Sequence, residues 1–325
     1  MLRIVINFIF AMKTEHTTDP NVAAEFINIG GIVAFPTETV YGLGGSVFSR
    51  SAIARIYEAK RRPADNPLIA HVAKLSDINL LARAINHAAS RFIAEFFPGP
   101  LTIVLKKSES VPLIATAGLE TVGVRMPSLP LAHEFLLACD TPVVAPSANF
   151  SGKPSPTTWI AVTEDLDGEI DCILHGEPSQ FGLESTVVDC TDEVPLLLRK
   201  GAISIEQLRA IESTTIPFTI GSSDALKSPG LRHKHYSPRA KVEIIEKLFE
   251  IPSRPQIAFI GLTQPTDLDN LAHFRVCATI KEYAHFVFEF FRECDRRNIE
   301  TIYCERVPEI DIGSALMDRL RRSSE

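Results

Sequence analysis

Two polar loops on either side of one short predicted helix carry residue types that suit a small-molecule site. The first loop, residues 36–45, follows an apolar strand and contains two threonines, one glutamate and three glycines. Threonine hydroxyls donate and accept hydrogen bonds, and glycines let a ligand approach the backbone closely. We therefore expect a small polar ligand here, with Glu38 available to orient an ammonium group. A structural turn capped by its threonines would give the same pattern.

The second loop, residues 60–66, begins with three consecutive cations, Lys60, Arg61 and Arg62, before a proline turn. Arginine binds a phosphate through a planar bidentate contact, whereas lysine acts as a point charge. One cation would be enough to interact with the helix dipole, whose contribution is only about 0.3–1 kcal/mol. Three cations exceed that need, so the loop predicts a phosphate-binding region. It is not a Walker A loop, because GxxxxGK[ST] is absent from the chain.

Four further candidates follow along the chain. Arg125 lies in the apolar segment VGVRMP, and a half-buried arginine needs an anionic partner, either a substrate carboxylate or a structural Asp or Glu. His71 lies in the predicted strand PLIAHVA, where it is either a satisfied core residue or a ligand-binding one. Ser147 could hydrogen-bond the phosphates or the sugar of a nucleotide. Ser185 lacks the GxSxG context and an adjacent base, so we do not expect a hydrolase nucleophile.

Composition restricts the class of protein. The chain has 325 residues, a net charge of −7 and 45% hydrophobic residues, which indicates a globular protein of two domains. The negative charge argues against a surface that grips nucleic acid throughout. Six separated cysteines without a CxxC pair, and the absence of HExxH and of an EF-hand loop, favour buried reduced thiols and no structural metal. The apolar run at residues 4–12 is too short to span a bilayer.

Apolar runs alternate with helical patterns, which is typical of an α/β structure. In the first domain we predict strands at residues 32–35, 67–72, 101–106, 122–125, 143–145, 172–174, 186–188 and 196–198. Predicted helices cover residues 51–59, 86–96, 131–138 and 205–211, the last with Ser204 as its N-cap.

The pattern then lapses into a basic, Pro- and Gly-rich segment, SPGLRHKHYSPRAK, which reads as a linker. It either serves solubility or lies over an anionic ligand, with Tyr236 as the contact residue. Beyond it we predict strands at 242–245, 257–260, 274–278 and 301–304 and helices at 281–297 and 312–322. A dinucleotide site in this second unit is not expected, because no GxGxxG follows its strand-end glycine.

Seven ordered segments together resemble the YrdC-like family of L-threonylcarbamoyladenylate synthases in its long, two-domain form: PTETVYGLG, KRRPADNPLIAHV, FFPGPLT, VGVRMP, APSANFSGKPSPT, LESTVVD and LLRKG. The resemblance implies an α/β fold, a YrdC-like twisted mixed sheet with flanking helices plus a smaller C-terminal Rossmann-like α/β domain. We expect an N-terminal leader at 1–18, a catalytic domain at 19–212, a basic linker at 213–240 and a C-terminal domain at 241–325. One departure is Arg61, which stands where the family often has glycine.

The resemblance also implies a nucleotidyltransferase reaction, in which L-threonine, bicarbonate and ATP, brought with Mg²⁺, give threonylcarbamoyl-AMP and pyrophosphate. A downstream complex would transfer the threonylcarbamoyl group to tRNA. Implied threonine-binding residues are Thr39, His71, Arg125, Ala145 and Ser185. Implied ATP-binding residues are Arg62, Asn66, Thr121, Ser147, Ser155, Arg199 and Tyr236. Lys60, Arg62 and Ser147 are the expected catalytic residues, and Lys60 would lie near the phosphates.

No nucleophile–base pair is evident, so we expect catalysis by positioning and charge neutralisation, without a covalent enzyme intermediate. The expected setting is cytoplasmic, with no membrane and at most a weak tRNA contact. The alternative is a non-catalytic RNA-binding module, in which cations such as Lys60, Arg61, Arg62, Lys153 and Arg199 hold an RNA backbone. A carbamoyl-transfer enzyme with zinc-finger modules is disfavoured, because the chain has no CxxC.

Overall fold

A computed structural model describes residues 13–218, 236–248, 251–252, 255–265 and 270–325. The first twelve residues of the predicted leader and residues 219–235 of the predicted linker lie outside the described residues. No helix of the described residues is long and apolar enough to cross a membrane.

The first unit is built on one mixed sheet. Its strands are β1 (Glu15–Thr17), β2 (Val33–Phe35), β3 (Gly42–Ser46), β4 (Ile69–His71), β5 (Leu101–Lys106), β6 (Thr121–Arg125), β7 (Val143–Val144), β8 (Cys172–Leu174), β9 (Thr186–Asp189), β10 (Leu196–Arg199) and β11 (Ile216–Pro217). Their order in the sheet is β1-β8-β2-β3-β7-β4-β6-β5-β9-β10-β11. The sheet contains parallel pairs, such as β4–β6 and β5–β9, and antiparallel pairs, such as β3–β7 and β5–β6. This arrangement brings loops from distant parts of the chain to the ends of neighbouring strands.

Helices cover both faces of this sheet. They are α1 (Pro20–Asn28), α2 (Arg50–Ala59), α3 (Ile78–Leu81), α4 (His87–Phe96), α5 (Pro130–Ala138), α6 (Trp159–Leu166) and α7 (Ile205–Ile211). Successive side chains of a strand point to opposite faces of the sheet, so one strand can contribute to two cores. On β2, Ala34 packs with residues of α2 and α4, whereas Val33 and Phe35 pack with residues of α1 and α5. Side-chain caps begin several helices, among them Ser204, whose hydroxyl accepts a hydrogen bond from the Gln207 amide.

Within the described residues, the second unit is a smaller parallel sheet with two helices. Strands β12 (Lys241–Ile245), β13 (Ile257–Gly261), β14 (His273–Val276) and β15 (Thr301–Glu305) are ordered β12-β15-β13-β14, and helices α8 (Ile280–Arg296) and α9 (Ile312–Ser324) pack against them. Every pairing in this sheet is parallel. Burial of the apolar faces of α8 and α9 against Ala258, Ile260 and Ile302 forms its main core.

The two units share a buried contact. Leu183, which belongs to the first unit by sequence, packs in the core of the second. Next to it, Gly182 has φ +72°, and a Cβ there would lie 2.3 Å from the carbonyl oxygen of His285 on α8. On the other side of the same loop, the Phe181 amide donates to the Glu38 carbonyl over 2.8 Å. The loop at 180–184 is therefore held between the second unit and the first polar loop.

The predicted fold class is confirmed, and the six cysteines are free and buried as expected. Each predicted strand and helix is present, with small shifts at the ends. Six elements were missed: β1, α1, β3, α3, α6 and β11. Residues 15–17 of the predicted leader pair with β8, because the chain adds an edge strand there, so the leader prediction is wrong for these residues.

Candidate active site

One cavity, with about 70 Å³ of water-accessible space, brings most of the predicted site residues together. It opens between the loop after β2, the loop after β7 and the segments that flank β9. Nine of the predicted residues line it: Thr39, Arg62, His71, Arg125, Ala145, Ser147, Ser185, Arg199 and Tyr236. Lys60, Asn66, Thr121 and Ser155 are not part of the lining.

The turn after β2 is closed by its own threonines. The Thr37 hydroxyl donates to the Val40 carbonyl over 2.7 Å and accepts from the amides of Thr39 and Val40. It also lies 2.8 Å from the Thr39 hydroxyl. These bonds fix the loop. Thr37 and Thr39 therefore cap the turn, as one interpretation of the sequence held, and also line the cavity, as the other held.

The glycines after this turn form strand β3, which corrects the expectation that they are a loop open to a ligand. A Cβ on Gly44 would lie 2.6 Å from Cγ1 of Val143 and 2.9 Å from the Phe35 ring. Gly42 lines the cavity, but a Cβ there would lie 3.2 Å from Cβ of Ala145. The glycines mainly allow β3 to fit against its neighbours, because side chains would collide there.

Arg125, at the end of β6, is buried and has a structural anionic partner. Its Nη2 lies 2.7 Å from Oε1 of Glu38, and both side chains are at most 5% exposed. Nη1 donates to the Thr39 hydroxyl over 2.7 Å, and Nε donates to the Gly99 carbonyl over 3.3 Å. Of the two partners considered, the structural glutamate is present. The predicted ammonium-orienting role of Glu38 is wrong, because its carboxylate pairs with Arg125 and does not line the cavity.

His71, at the end of β4, is a neutral hydrogen-bonding group. Burial, assisted by the nearby charge of Arg125, lowers the pKa of His71 to about 3. Its Nδ1 lies 3.1 Å from the Ile69 carbonyl oxygen, which can only accept. Nδ1 therefore carries the proton, and Nε2 keeps a lone pair that can accept a hydrogen bond. The edge of its ring packs on Phe35.

Ser185 is held by neutral and cationic partners, none of which is a base. Its hydroxyl lies 2.8 Å from that of Thr102 and accepts from Nη2 of Arg199 over 3.0 Å. Nε of Arg199 donates to the Ser185 carbonyl, also over 3.0 Å. The pair orients both a hydroxyl and a guanidinium at the cavity wall, and it gives no means of activating Ser185 as a nucleophile.

Arg62 points into the cavity from the second polar loop. It is anchored because Nε and Nη2 donate to the carbonyls of Asn66 and Pro67 over 3.2 and 3.1 Å. Burial lowers the pKa of Arg62 to about 10, so the group stays charged at neutral pH. Behind it, Nδ2 of buried Asn66 has no hydrogen-bond partner among the described residues. An unsatisfied buried donor beside a cavity marks a position where a ligand acceptor would be stabilised.

Lys60 occupies a different place from the predicted one. The residue is 1% exposed, and its Nζ donates to the carbonyls of Ser147 and Asn149. Burial, with the nearby charge of Arg62, holds the pKa of Lys60 well below its ordinary value. Lys60 therefore fixes the loop after β7 from behind, instead of facing the cavity.

Three other predicted contacts are arranged as follows. Thr121, at the start of β6, lines a smaller neighbouring cavity that shares Pro67 and Ile69 with the main one. The Ser155 hydroxyl donates to Oε1 of Glu184 over 2.5 Å. Tyr236 stacks on Phe288 of α8 with ring centroids 5.3 Å apart. Burial raises the pKa of Tyr236, so its phenol is neutral at physiological pH.

The charged lining of the cavity, within the part of the chain that the structure describes, consists of Arg62, Arg125, Arg199 and Glu184. Three guanidiniums against one carboxylate make the cavity electropositive, which suits an anionic ligand. Glu184 was missed as a lining residue. The position of Glu184 next to Ser185 in LESTVVD was the available signal.

The cations proposed for an RNA surface are mostly engaged within the protein. Nζ of Lys153 lies 2.7 Å from Oδ1 of Asp165. The guanidinium of exposed Arg61 lies 4.5 Å above the Phe150 ring, and the residue has φ +51°, a region that favours glycine. This backbone angle gives a physical reason for the glycine that the family often has there. The described residues contain no group of three or more His, Cys, Asp or Glu side chains that could hold a metal ion.

Known proteins resemble the chain over nearly its whole length. A family model described as "Telomere recombination", for the Sua5, YciO and YrdC proteins, matches residues 25–201. A second, described as the C-terminal domain of threonylcarbamoyl-AMP synthase, matches residues 203–324. The threonylcarbamoyl-AMP synthase of Pyrococcus abyssi is 42% identical over 93% of both chains, and that of Bacillus subtilis is 37% identical over 95% of this chain and 94% of the relative.

A solved structure agrees with these sequence matches. The crystal structure of Pyrococcus abyssi Sua5 complexed with L-threonine has a TM-score of 0.87 and 38% identity, and it covers 96% of this chain and 97% of its own. These matches confirm the predicted resemblance and the predicted class of enzyme, and the chain belongs to the threonylcarbamoyl-AMP synthase family.

Proposed function

We propose that the cavity forms L-threonylcarbamoyl-AMP from L-threonine, bicarbonate and ATP, with release of pyrophosphate. The observation that supports this best is its charged lining, three arginines and one glutamate, next to hydroxyls and a neutral histidine. The reactants carry a carboxylate, a carbonate and a triphosphate, and such groups need fixed cations around them. The solved relative with L-threonine bound supports the amino-acid half.

Threonine would occupy the side of the cavity formed by Thr39, His71, Arg125, Ala145 and Ser185. Arg125 would bind the substrate carboxylate. Its guanidinium is already oriented by Glu38, Thr39 and the Gly99 carbonyl, so little ordering is required when the substrate arrives. Neutral His71 offers an acceptor for the amine or hydroxyl of threonine.

ATP would lie across Arg62, Ser147, Arg199 and Tyr236, with the two arginines at its phosphates. Asn66 supports this placement, because its buried Nδ2 has no hydrogen-bond partner in the part of the protein that the structure describes. Thr121 stands in the neighbouring cavity, and Ser155 contacts Glu184, so their ATP contacts would require small rearrangements. Lys60 would contribute through the loop that carries Ser147, as a positioning residue.

Mg²⁺ would enter with ATP and be held by phosphate oxygens and water. The one carboxylate in the described lining is Glu184, and its oxygens already accept from Ser155 and Arg319. A divalent ion that keeps several waters and binds substrate phosphates needs few protein ligands. The metal therefore belongs to the substrate in this proposal.

The chemistry would proceed by positioning. The deprotonated threonine amine attacks the carbon of bicarbonate, the C–OH bond breaks, and the hydroxide leaves as water with a proton of the amine. The resulting carbamate oxygen attacks the α-phosphorus of ATP, and the bond to the bridging oxygen breaks as pyrophosphate leaves. Fixed cations neutralise the charge that develops at the phosphates. Ser185, bonded to Thr102 and Arg199, acts only by hydrogen bonding. No covalent enzyme intermediate forms.

The product would serve tRNA modification through a separate transfer complex, in the cytoplasm. A tRNA contact, if made, would be weak, since Lys60, Lys153 and Arg199 are used inside the protein.

The purified full chain, supplied with ATP, Mg²⁺, threonine and labelled bicarbonate, is the direct test. We expect a labelled adenylate that depends on both threonine and bicarbonate. Omitting threonine is the matched control. Absence of the adenylate together with tight, salt-sensitive RNA binding would replace this proposal by the RNA-binding alternative.

A further inference from the structure

A carboxylate lies in the wall of the electropositive cavity, and the second unit of the protein neutralises it. Glu184 lines the cavity beside Ser185, while its Oε2 accepts from Nε of Arg319 on α9 over 2.9 Å. Arg319 is 1% exposed and Glu184 is 6% exposed. The ion pair is thus buried at the boundary between the two units.

The other contacts of Arg319 fix its position. Nη2 donates to the Lys200 carbonyl over 2.9 Å, and Nη1 contacts Oδ2 of Asp318. Its Cζ lies 5.2 Å from the centre of the Tyr236 ring, and Ser323, one turn further along α9, donates to the Tyr236 carbonyl over 3.0 Å. One side chain therefore contacts both a charged wall residue and the aromatic wall residue.

The charge of Glu184 would oppose a triphosphate if it were not paired. Burial weakens solvent screening, so an unpaired carboxylate in this wall acts strongly on a nearby anion. Burial by itself would raise the pKa of Glu184, but Arg319, Arg199 and the Ser155 hydroxyl surround the carboxylate and together hold its pKa below the ordinary value. Glu184 consequently stays ionised, and only its cationic partners cancel its charge.

We propose that Arg319 is a positioning residue for the nucleotide, which keeps the cavity electropositive by pairing with Glu184 and supports Tyr236 from the second unit. The proposal rests on the proposed function, because it concerns the binding of ATP. It assigns the C-terminal α/β unit a defined share in the nucleotide site. A different reading is that Arg319 only joins the two units.

A second arginine of the same kind allows the two readings to be separated. Arg292 on α8 is 4% exposed and also joins the units, through Asp165 over 2.8 Å and the Pro154 carbonyl over 2.7 Å. It does not line the cavity or contact Glu184. Arg292→Gln therefore removes a buried junction arginine without changing the charge balance of Glu184.

The experiment compares Arg319→Gln, Glu184→Gln/Arg319→Gln and Arg292→Gln in the full chain, by initial rates of adenylate formation and by thermal melting. We expect Arg319→Gln to raise KM for ATP about tenfold or more, with KM for threonine within about twofold. The double variant should bring KM for ATP back to within about threefold of the natural protein, because the charge is balanced again. Arg292→Gln should lower the melting temperature and leave KM for ATP unchanged.

Equal effects of Arg319→Gln and Arg292→Gln on KM for ATP would overturn the proposal, and so would a double variant whose KM for ATP stays high. If Arg319→Gln is too unstable to assay, the KM for ATP of Glu184→Gln alone tests the proposal. The proposal requires that its KM for ATP does not rise, whereas a rise would mean that Glu184 itself binds the nucleotide. Failure of the proposed function is distinct, because the natural chain would then form no adenylate.

Discussion

Replacement of Arg125 by glutamine should affect both threonine binding and the stability of the fold. Measuring these two effects separately tests the site most directly. In the structure Arg125 pairs with buried Glu38. In the proposed reaction it also binds the threonine carboxylate. A charge-assisted hydrogen bond contributes about 1.5–3 kcal/mol, so its loss would raise KM for threonine by about 10- to 150-fold. KM for ATP would change little.

The same substitution would also destabilise the fold. Removing one partner of a buried ion pair leaves an uncompensated charge and costs about 3–5 kcal/mol. Both side chains are at most 5% exposed, so solvent would screen little of this cost. We therefore expect the free energy of unfolding of Arg125→Gln, measured by urea denaturation, to fall by that amount.

A double variant, Glu38→Gln/Arg125→Gln, separates the two effects. Two amides can hydrogen-bond to each other, so most of the lost stability should return, whereas KM for threonine should remain high. Initial rates at saturating ATP and varied threonine give the second quantity. A double variant with normal KM for threonine would show that Arg125 has only the structural role. A rise in KM for ATP alone would show that Arg125 binds ATP and that its assignment to threonine is wrong.

Three further predictions concern neighbouring residues. Lys60→Met should lower the free energy of unfolding by about 2–4 kcal/mol, because two buried carbonyls lose their donor; an unchanged urea midpoint would instead indicate a lysine that faces the phosphates. Arg61→Gly should change stability by less than about 1 kcal/mol and leave KM for ATP within about twofold, since relief of the left-handed backbone offsets the lost contact with Phe150. A large rise in KM would assign Arg61 to the nucleotide. The unfolded histidine binds a proton near pH 6.5 and buried His71 only near pH 3, so the unfolded state holds more protons between these values. Stability is therefore complete above pH 6.5 and falls as the pH is lowered, by about 2 kcal/mol from pH 7 to pH 5. His71→Asn should lack this component in urea titrations at the two pH values, and an equal loss in both proteins would contradict the buried neutral histidine.

Elements with a strong local pattern could be predicted from the sequence. Leu101–Lys106 is an apolar run after a proline turn and is found as β5 with the predicted bounds. Ser204 caps α7 as expected, because a serine hydroxyl before an apolar-periodic segment satisfies a free helix amide.

Strand β3 shows where such patterns fail. Gly42, Gly44 and Gly45 have low intrinsic preference for a strand and are typical of a loop. Their conformation is determined by two antiparallel neighbours, β2 and β7, and by the lack of space for a Cβ at Gly44. Because β7 lies far from the glycines in the sequence, tertiary contacts determine the conformation of this segment and override its local propensity.

The candidate site could likewise be predicted only in part. Side-chain types at strand ends identified Thr39, Arg125 and Ser185, because strand ends in an α/β sheet gather polar residues at one edge. The long-range pairings, Arg125 with Glu38 and Thr39 and Ser185 with Thr102, could not be predicted, because these partners lie far apart in the chain.

Charge balance gives a common reason for these distant pairings. A cavity that must hold several anionic groups requires fixed cations, and each buried cation or carboxylate near it must itself be compensated. Glu38 compensates Arg125 within the first unit, whereas Arg319 compensates Glu184 from the second. The second unit therefore contributes to the electrostatics of the cavity as well as to its shape. A catalytic domain separated from that unit would retain Glu184 without Arg319, and its affinity for ATP should fall even if its own fold persisted.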